Sequence, residues 1–218
     1  GSLTTNIKGL VTGTPNSKTG IYGGSKAAAD NLALKDGSVV MNVSDSTLCA
    51  DIRGGGGAFG AGSSSTTDSS TLQISNTTVS GYESGTNIWT GRIFGAGTAQ
   101  GKDTLVKHGS SSVTIENVTG VTYDKETGEL SKEDGARVYG GGQAYRVGGG
   151  EKVFVDSAKV IVKGEKTSLA EVYGGSIVSG TSKPETSGLV VLGKSDVSVE
   201  GGTVIGYVVG GNNTNWFG

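Results

Sequence analysis

The chain has 218 residues, of which 41 are glycine and 50 serine or threonine, with 17% charged and a net charge of −2. No basic stripe is present to follow a nucleic-acid backbone, and no apolar run reaches the roughly 18 residues of a membrane span, so neither partner is expected. One cysteine, Cys49, and one histidine, His108, leave no internal disulfide and no metal set, and neither metal nor cofactor is expected. Such a glycine and serine content also fits a disordered linker, but valine, isoleucine and tyrosine return in short bursts, which signals many short strands with tight turns. No leader opens the chain and Gly1-Ser2 reads as a trimmed end, so the expectation is a piece excised from a longer protein.

In chain order, the first element is "IYGGS" from Ile21: an apolar residue, an aromatic, two glycines and a small residue. "SKAAADNLALKD", Ser25 to Asp36, is rich in alanine and leucine and reads as a small helix capping the first units. "MNVSDSTL" from Met41 alternates apolar and polar residues, the signal of a half-buried strand, and Asp45 supplies a turn. Cys49 reads as a small buried residue, and Asp51 with Arg53 as a local ion pair. "AFGAG" from Ala58 and "IFGAG" from Ile93 repeat the first motif, with the strand "LQISNTTV" from Leu72 between them. His108, in "KHGSSS", reads as an exposed loop histidine, and "VTIENVTG" from Val113 as another alternating strand. "TYDKETGELSKEDGAR" is the most charged stretch. After it come "VYGGG" from Val138, a looser strand "VIVKGEKTSL" from Val160, and "VYGGS" from Val172. "SKPETSGLVVLGKSD" reads as a third strand of its unit, followed by "VSVEGGTV" from Val197 and a degenerate "VVGGN" from Val208.

The six glycine motifs lie 37, 35, 45, 34 and 36 residues apart. A glycine loop that cradles a nucleotide occurs once and opens a helix, so this spacing marks a repeat of about 37 residues instead. Each unit is a glycine-rich strand and turn, a variable loop, an alternating strand and a link back. Parallel stacking of such units gives an all-β solenoid with like residues in rows along its axis. Glycine after the aromatic serves unusual backbone angles and close approach between units. The expectation is a single domain, 1–218, with units starting near 21, 58, 93, 138, 172 and 208.

"VYGGG" alternating with "VSVEGGTV" resembles the repeats of bacterial cell-surface parallel β-helix proteins, the autotransporter passenger domains and adhesin-like β-strand-repeat proteins, from Ile21 to about Gly211. The resemblance implies a right-handed parallel β-helix, secretion or display on the bacterial surface (outer membrane or cell wall), a role in virulence, and attachment to a host-cell or matrix glycan or protein. The sequence departs from that pattern where Ala61 and Ala96 replace the second glycine and where the last copy lacks its aromatic.

Two groups are candidate ligand contacts. Tyr22, Phe59, Phe94, Tyr139 and Tyr173 form an aromatic column; the residues two places earlier share its side of the strand and include Arg92, Arg137 and Glu171. Those charges point to a solvent-facing column that stacks on sugar rings; the alternative is a partly buried stack at a corner. The charged stretch offers Asp124, Lys125, Glu126, Glu129, Lys132, Glu133 and Asp134 as a contact loop, or as a solvated surface, in a spacing that fits no calcium loop. Aligning the alternating strands sets Ser44, Ser75, Glu116, Lys163 and Glu200 in one row, so Glu116 and Glu200 form the one carboxylate pair for glycoside hydrolysis, with Lys163 between them. Ser-His-Asp chemistry would rest on His108 alone. The expected function is therefore a non-enzymatic, multivalent adhesin, with a structural stalk and a polysaccharide-degrading enzyme as alternatives. Self-association through the solenoid ends is also open, because such ends need caps.

Overall fold

The alternating runs found in the sequence become the longest strands of the fold. A computed structural model describes residues 1–13, 19–84, 87–124, 130–131, 135–145, 147–180 and 188–214. They form three sheets of mainly parallel strands, with no helix among the described residues. The first sheet holds Leu3–Lys8, Ala33–Ser44, Ser64–Ser75, Leu105–Glu116, Lys152–Lys163 and Leu189–Val199, neighbours in chain order. The third sheet holds Lys26–Ala27, Gly57–Ala58, Thr98–Gln100, Gln143–Tyr145, Ile177–Ser179 and Asn213–Thr214, again in chain order. Between leaving the first sheet and entering the third, the chain passes each time through a second, 13-stranded sheet. The described residues thus make six circuits of the three sheets.

Like residues stand in rows. Met41, Leu72, Val113, Val160 and Val197 pair in register across the first sheet, as do Ile21, Ile52, Ile93, Val138, Val172 and Val208 across the second. The two rows meet as the main core, where the members from Met41 to Val160 and from Ile52 to Val172 are fully buried. Each such side chain contributes about 1.5–3 kcal/mol. A second core packs Ala58, Ala99 and Ala144 of the third sheet against Val106, Val153 and Val155 of the first.

The turns explain the short polar groups of the sequence. Leaving the first sheet, Gly9, Asp45, Asn76, Asn117 and Gly164 all take positive φ, between 46° and 86°. This conformation is open to glycine and cheapest, among the rest, for Asn and Asp. The glycine after the aromatic has another reason. A Cβ on Gly95 would lie 2.2 Å from the Gly140 carbonyl oxygen, and one on Gly140 would lie 2.5 Å from that of Gly174. Neither has a positive φ, so close approach between circuits, and not an unusual backbone angle, requires glycine here.

Three expectations are corrected. Residues 25–36 are not helical: Lys26–Ala27 joins the third sheet and Ala33 begins a first-sheet strand, because their apolar residues take places in existing rows. "LVVLGKSD" is not a third strand of its unit but the opening of Leu189–Val199, continuous with "VSV". The second glycine motif begins not at Ala58 but at Ile52. Ile52 and Arg53 pair with Ile21 and Tyr22 on one side and with Ile93 and Phe94 on the other, whereas Ala58 pairs with Ala27 and Ala99 in the third sheet. The copy is "IRGGG", and its arginine hid it from a search for an aromatic.

The longer circuits carry their extra residues in the second sheet. Thr78–Ser84 turns back through Asn87–Trp89, and Thr119–Asp124 through Leu130–Ser131, each pair antiparallel. Thr78–Ser84 and Thr119–Asp124 pair with each other in parallel, so the two hairpins form a four-stranded patch.

Candidate functional site

The Ile/Val row of the second sheet points into the main core, so its flanking residues point to the sheet's other side. There stand Tyr22, Arg53, Phe94, Tyr139 and Tyr173 in one row, and Gly20, Asp51, Arg92, Arg137 and Glu171 in the next. The sequence left two readings of this side, a solvent-facing column and a partly buried stack. The structure shows the buried one: Phe94 and Tyr139 are 0% exposed and Tyr173 is buried with them. The third sheet closes over this side, where Ile177 packs with Phe94, Tyr139 and Tyr173 in a third core. Phe94 and Tyr139 stack at 5.0 Å and Tyr139 and Tyr173 at 5.1 Å, within 14° of coplanar. The Arg53 guanidinium fills the gap in the stack, 5.0 Å from the Tyr22 ring and 5.2 Å from that of Phe94. A planar cation between two ring faces substitutes for an aromatic in both shape and attraction. Half-buried Tyr22 meets Phe59 edge-on at 5.7 Å, so Phe59 packs beside the column and not in it.

The charges beside these rings face one another. Asp51 accepts two bonds from Arg92, at 2.7 and 3.1 Å, and lies 3.2 Å from Arg53. Arg137 and Glu171 pair at 2.8 Å. Arg53 also donates to Thr98 and Gln143 of the third sheet. Burial works against the Arg92 charge, but the charge and hydrogen bonds of Asp51, together with smaller effects of Tyr139 and Tyr145, outweigh it, and its pKa is raised. Burial pushes the Tyr139 hydroxyl up to about 12. It also raises Tyr173, which donates to Glu171 at 3.0 Å. The expected ligand residues Arg92, Arg137 and Glu171 thus tie circuits together, and the expected Asp51–Arg53 pair is present.

Of the charged loop, Asp124 ends the strand Thr119–Asp124, while Lys125, Glu126, Glu129, Lys132, Glu133 and Asp134 lie outside the described residues.

His108 is not an exposed loop residue. It stands in the strand Leu105–Glu116 and is buried, because its place alternates inward in register with Thr67 and Val155. Its Nε2 lies 2.8 Å from Ser70 Oγ, which itself donates to the Gly95 carbonyl at 2.6 Å. Ser70 therefore accepts from His108, the reverse of the polarity that activates a serine nucleophile. Burial lowers the His108 pKa from 6.5 to about 4, against smaller opposing effects of the Ser110 backbone and Asp156. Cys49 is buried, as its neighbours indicated. The aligned row of Ser44, Ser75, Glu116 and Lys163 is observed in register, and Glu116 pairs with Lys163 at 3.1 Å. Glu200 accepts from Ser198 at 3.0 Å.

An accessible depression lies elsewhere, on the outer face of the first sheet. Ser38, Ser69, Ser110, Ser157 and Lys194 form one outward row; Val40, Thr71, Ser112, Lys159 and Asp196 form the next. A depression of about 320 Å³ runs across these rows from Ser69 to Lys194, lined by hydroxyls with Lys159, Lys194 and Asp196 at one end. Beside it the neighbouring strands approach closely: a Cβ on Gly109 would lie 2.3 Å from the Asp68 carbonyl oxygen, and one on Gly193 2.5 Å from that of Asp156. Sequence reasoning missed this site because its serines carry no motif; the signal was the outward phase of "SSS" in strands whose inward phase was already known.

No helix among the described residues is long and apolar enough to cross a membrane. Among the described residues no group of three or more His, Cys, Asp or Glu could hold a metal ion. No protein-family model matches the chain, no curated protein matches it, and no solved structure matches its fold. The class defined by the fold is therefore stated from its own geometry: an all-β protein of stacked parallel sheets with a hydroxyl-lined trough on one face.

Proposed function

We propose that the chain is a right-handed parallel β-helix, part of a secreted or surface-displayed bacterial protein, and that it acts as an adhesin-like glycan-binding rod. Six circuits in register support the helix, and parallel crossovers are right-handed in nearly every case, which supports the hand. The observation that carries the binding role is the trough across Ser69, Ser110 and Ser157. Neighbouring strands set like hydroxyls about 4.8 Å apart. Such rows match a chain of sugar hydroxyls, and the lysines at one end favour carboxylated or sulfated sugars. Many weak contacts along a rigid face then add up.

The test is an array of neutral, uronic and sulfated oligosaccharides, followed by an assay for new reducing ends. Saturable binding without cleavage, lost in Ser110→Phe, supports the reading. New reducing ends would make the chain an enzyme, and no binding to any member would leave a structural stalk.

A further inference from the structure

The row pattern makes a demand at the last circuit that none of the described residues meets. A Cβ on Gly23, Gly54, Gly95, Gly140 or Gly174 would strike the carbonyl oxygen of the same row in the next circuit, at 2.2–2.6 Å. Gly210 is the sixth member of that row, and a Cβ there would find nothing nearer than Ser195 Oγ at 3.9 Å. Glycine at 210 is explained only if another circuit lies on top of it.

The surrounding edge agrees. Val199, Ile205, Tyr207 and Val208 are exposed in this last circuit, Tyr207 at 68% and Val208 at 52%. In each earlier circuit the places of Val199 and Val208 are covered by the next strand. Such an unpaired apolar strand edge templates further pairing. The first circuit presents the opposite edge. Leu3–Lys8 pairs on one side only, Ile7 and Ile21 are half-buried in the main core, and Leu3, Leu10 and Val11 are exposed.

We infer that a second copy of this chain stacks its first circuit on the last circuit of the first copy. Continuing the observed register sets Ile7 over Val199, Ile21 over Val208 and Gly23 over Gly210, each as inside the chain. The same register sets Lys8 over Glu200, which stands one place past Val199 and bonds its amide to the Val162 carbonyl. That pairing reproduces Glu116 with Lys163, the ion pair inside the chain at this row. Lys8 is free to make it, since its present contact with Asp45 is long, 3.8 Å, and solvent-exposed. The two edges differ, so the contact is head to tail and does not close; it propagates into a filament. This inference rests on the pairing register and not on what the outer face binds.

Two measurements on the 218-residue chain test it. Sedimentation should show mass rising with concentration, weakened roughly two- to five-fold by Glu200→Lys and restored when that variant is mixed with Lys8→Glu. Separately, chains carrying Asn6→Cys and chains carrying Ser198→Cys, both in a Cys49→Ala background, should cross-link on oxidation only when mixed. Positions 6 and 198 are the two ends of one outward row. A chain monomeric at every concentration overturns the inference, since the edge would then serve only a flanking stretch of a longer protein. Cross-linking of either variant with itself alone overturns it as well.

Discussion

The stacked rings between the second and third sheets and the hydroxyl rows on the outside of the first are built on the same parallel register, and they differ in what covers them. In both, one residue type recurs once per circuit at the spacing of neighbouring strands. The rings are roofed by the third sheet, through Thr98, Gln143 and Ile177, and so become a core. Among the described residues no element covers the serines, and they line an open trough. Periodicity in a repeat protein therefore identifies which residues share a row, but what lies opposite the row decides whether it holds the fold or meets a ligand.

The largest effect that would break this contrast comes from the circuit spacing. Gly95→Val places side-chain atoms where the Gly140 carbonyl already lies, and no soluble folded protein is expected on expression. Tyr139→Ala opens the middle of the ring stack and should cost about 3–5 kcal/mol by chemical denaturation. Arg53→Ala should cost about 3 kcal/mol in the same assay, because it removes a buried cation from between two rings and takes its bond away from the Gln143 side-chain oxygen.

A pH effect follows in size. His108 is held neutral, its pKa lowered from 6.5 to about 4, so the unfolded chain binds the proton first as pH falls. Its contribution is complete above pH 6.5 and is lost as pH falls toward 4. About 2 kcal/mol should disappear between pH 7.5 and 5. Denaturation across that range, with His108→Gln flattening the slope, checks it. The smallest effect on stability belongs to the other region: Ser110→Phe, on the open face, should stay within about 0.5 kcal/mol of the parent.

Much of the fold was legible in the sequence because the rows recur. The alternating strands, the Asn, Asp and Gly turns and the row from Ser44 to Lys163 could be aligned by eye and stand in register. Arg53 escaped because side-chain identity, and not shape and stacking, defined the motif. His108 escaped because a glycine and three serines follow it, which reads as loop, although the strand runs on through them with its inward phase shifted by one residue at Gly109. The candidate site was least legible. Arg92, Arg137 and Glu171 suggested a wet face, but ion pairing lets charge line a closed one. Exposure of a row depends on a third sheet whose strands are two or three residues long, too short to carry a pattern.

The central claim is that the ring column holds the fold while the serine trough meets the ligand. The most direct test compares Ser110→Phe with Tyr139→Leu, at a temperature where both are folded, for melting and for binding to the oligosaccharide the parent binds best. The account expects Ser110→Phe to melt like the parent and not bind, and Tyr139→Leu to melt lower and bind normally. The opposite pattern, binding lost with Tyr139 and kept with Ser110→Phe, would contradict it.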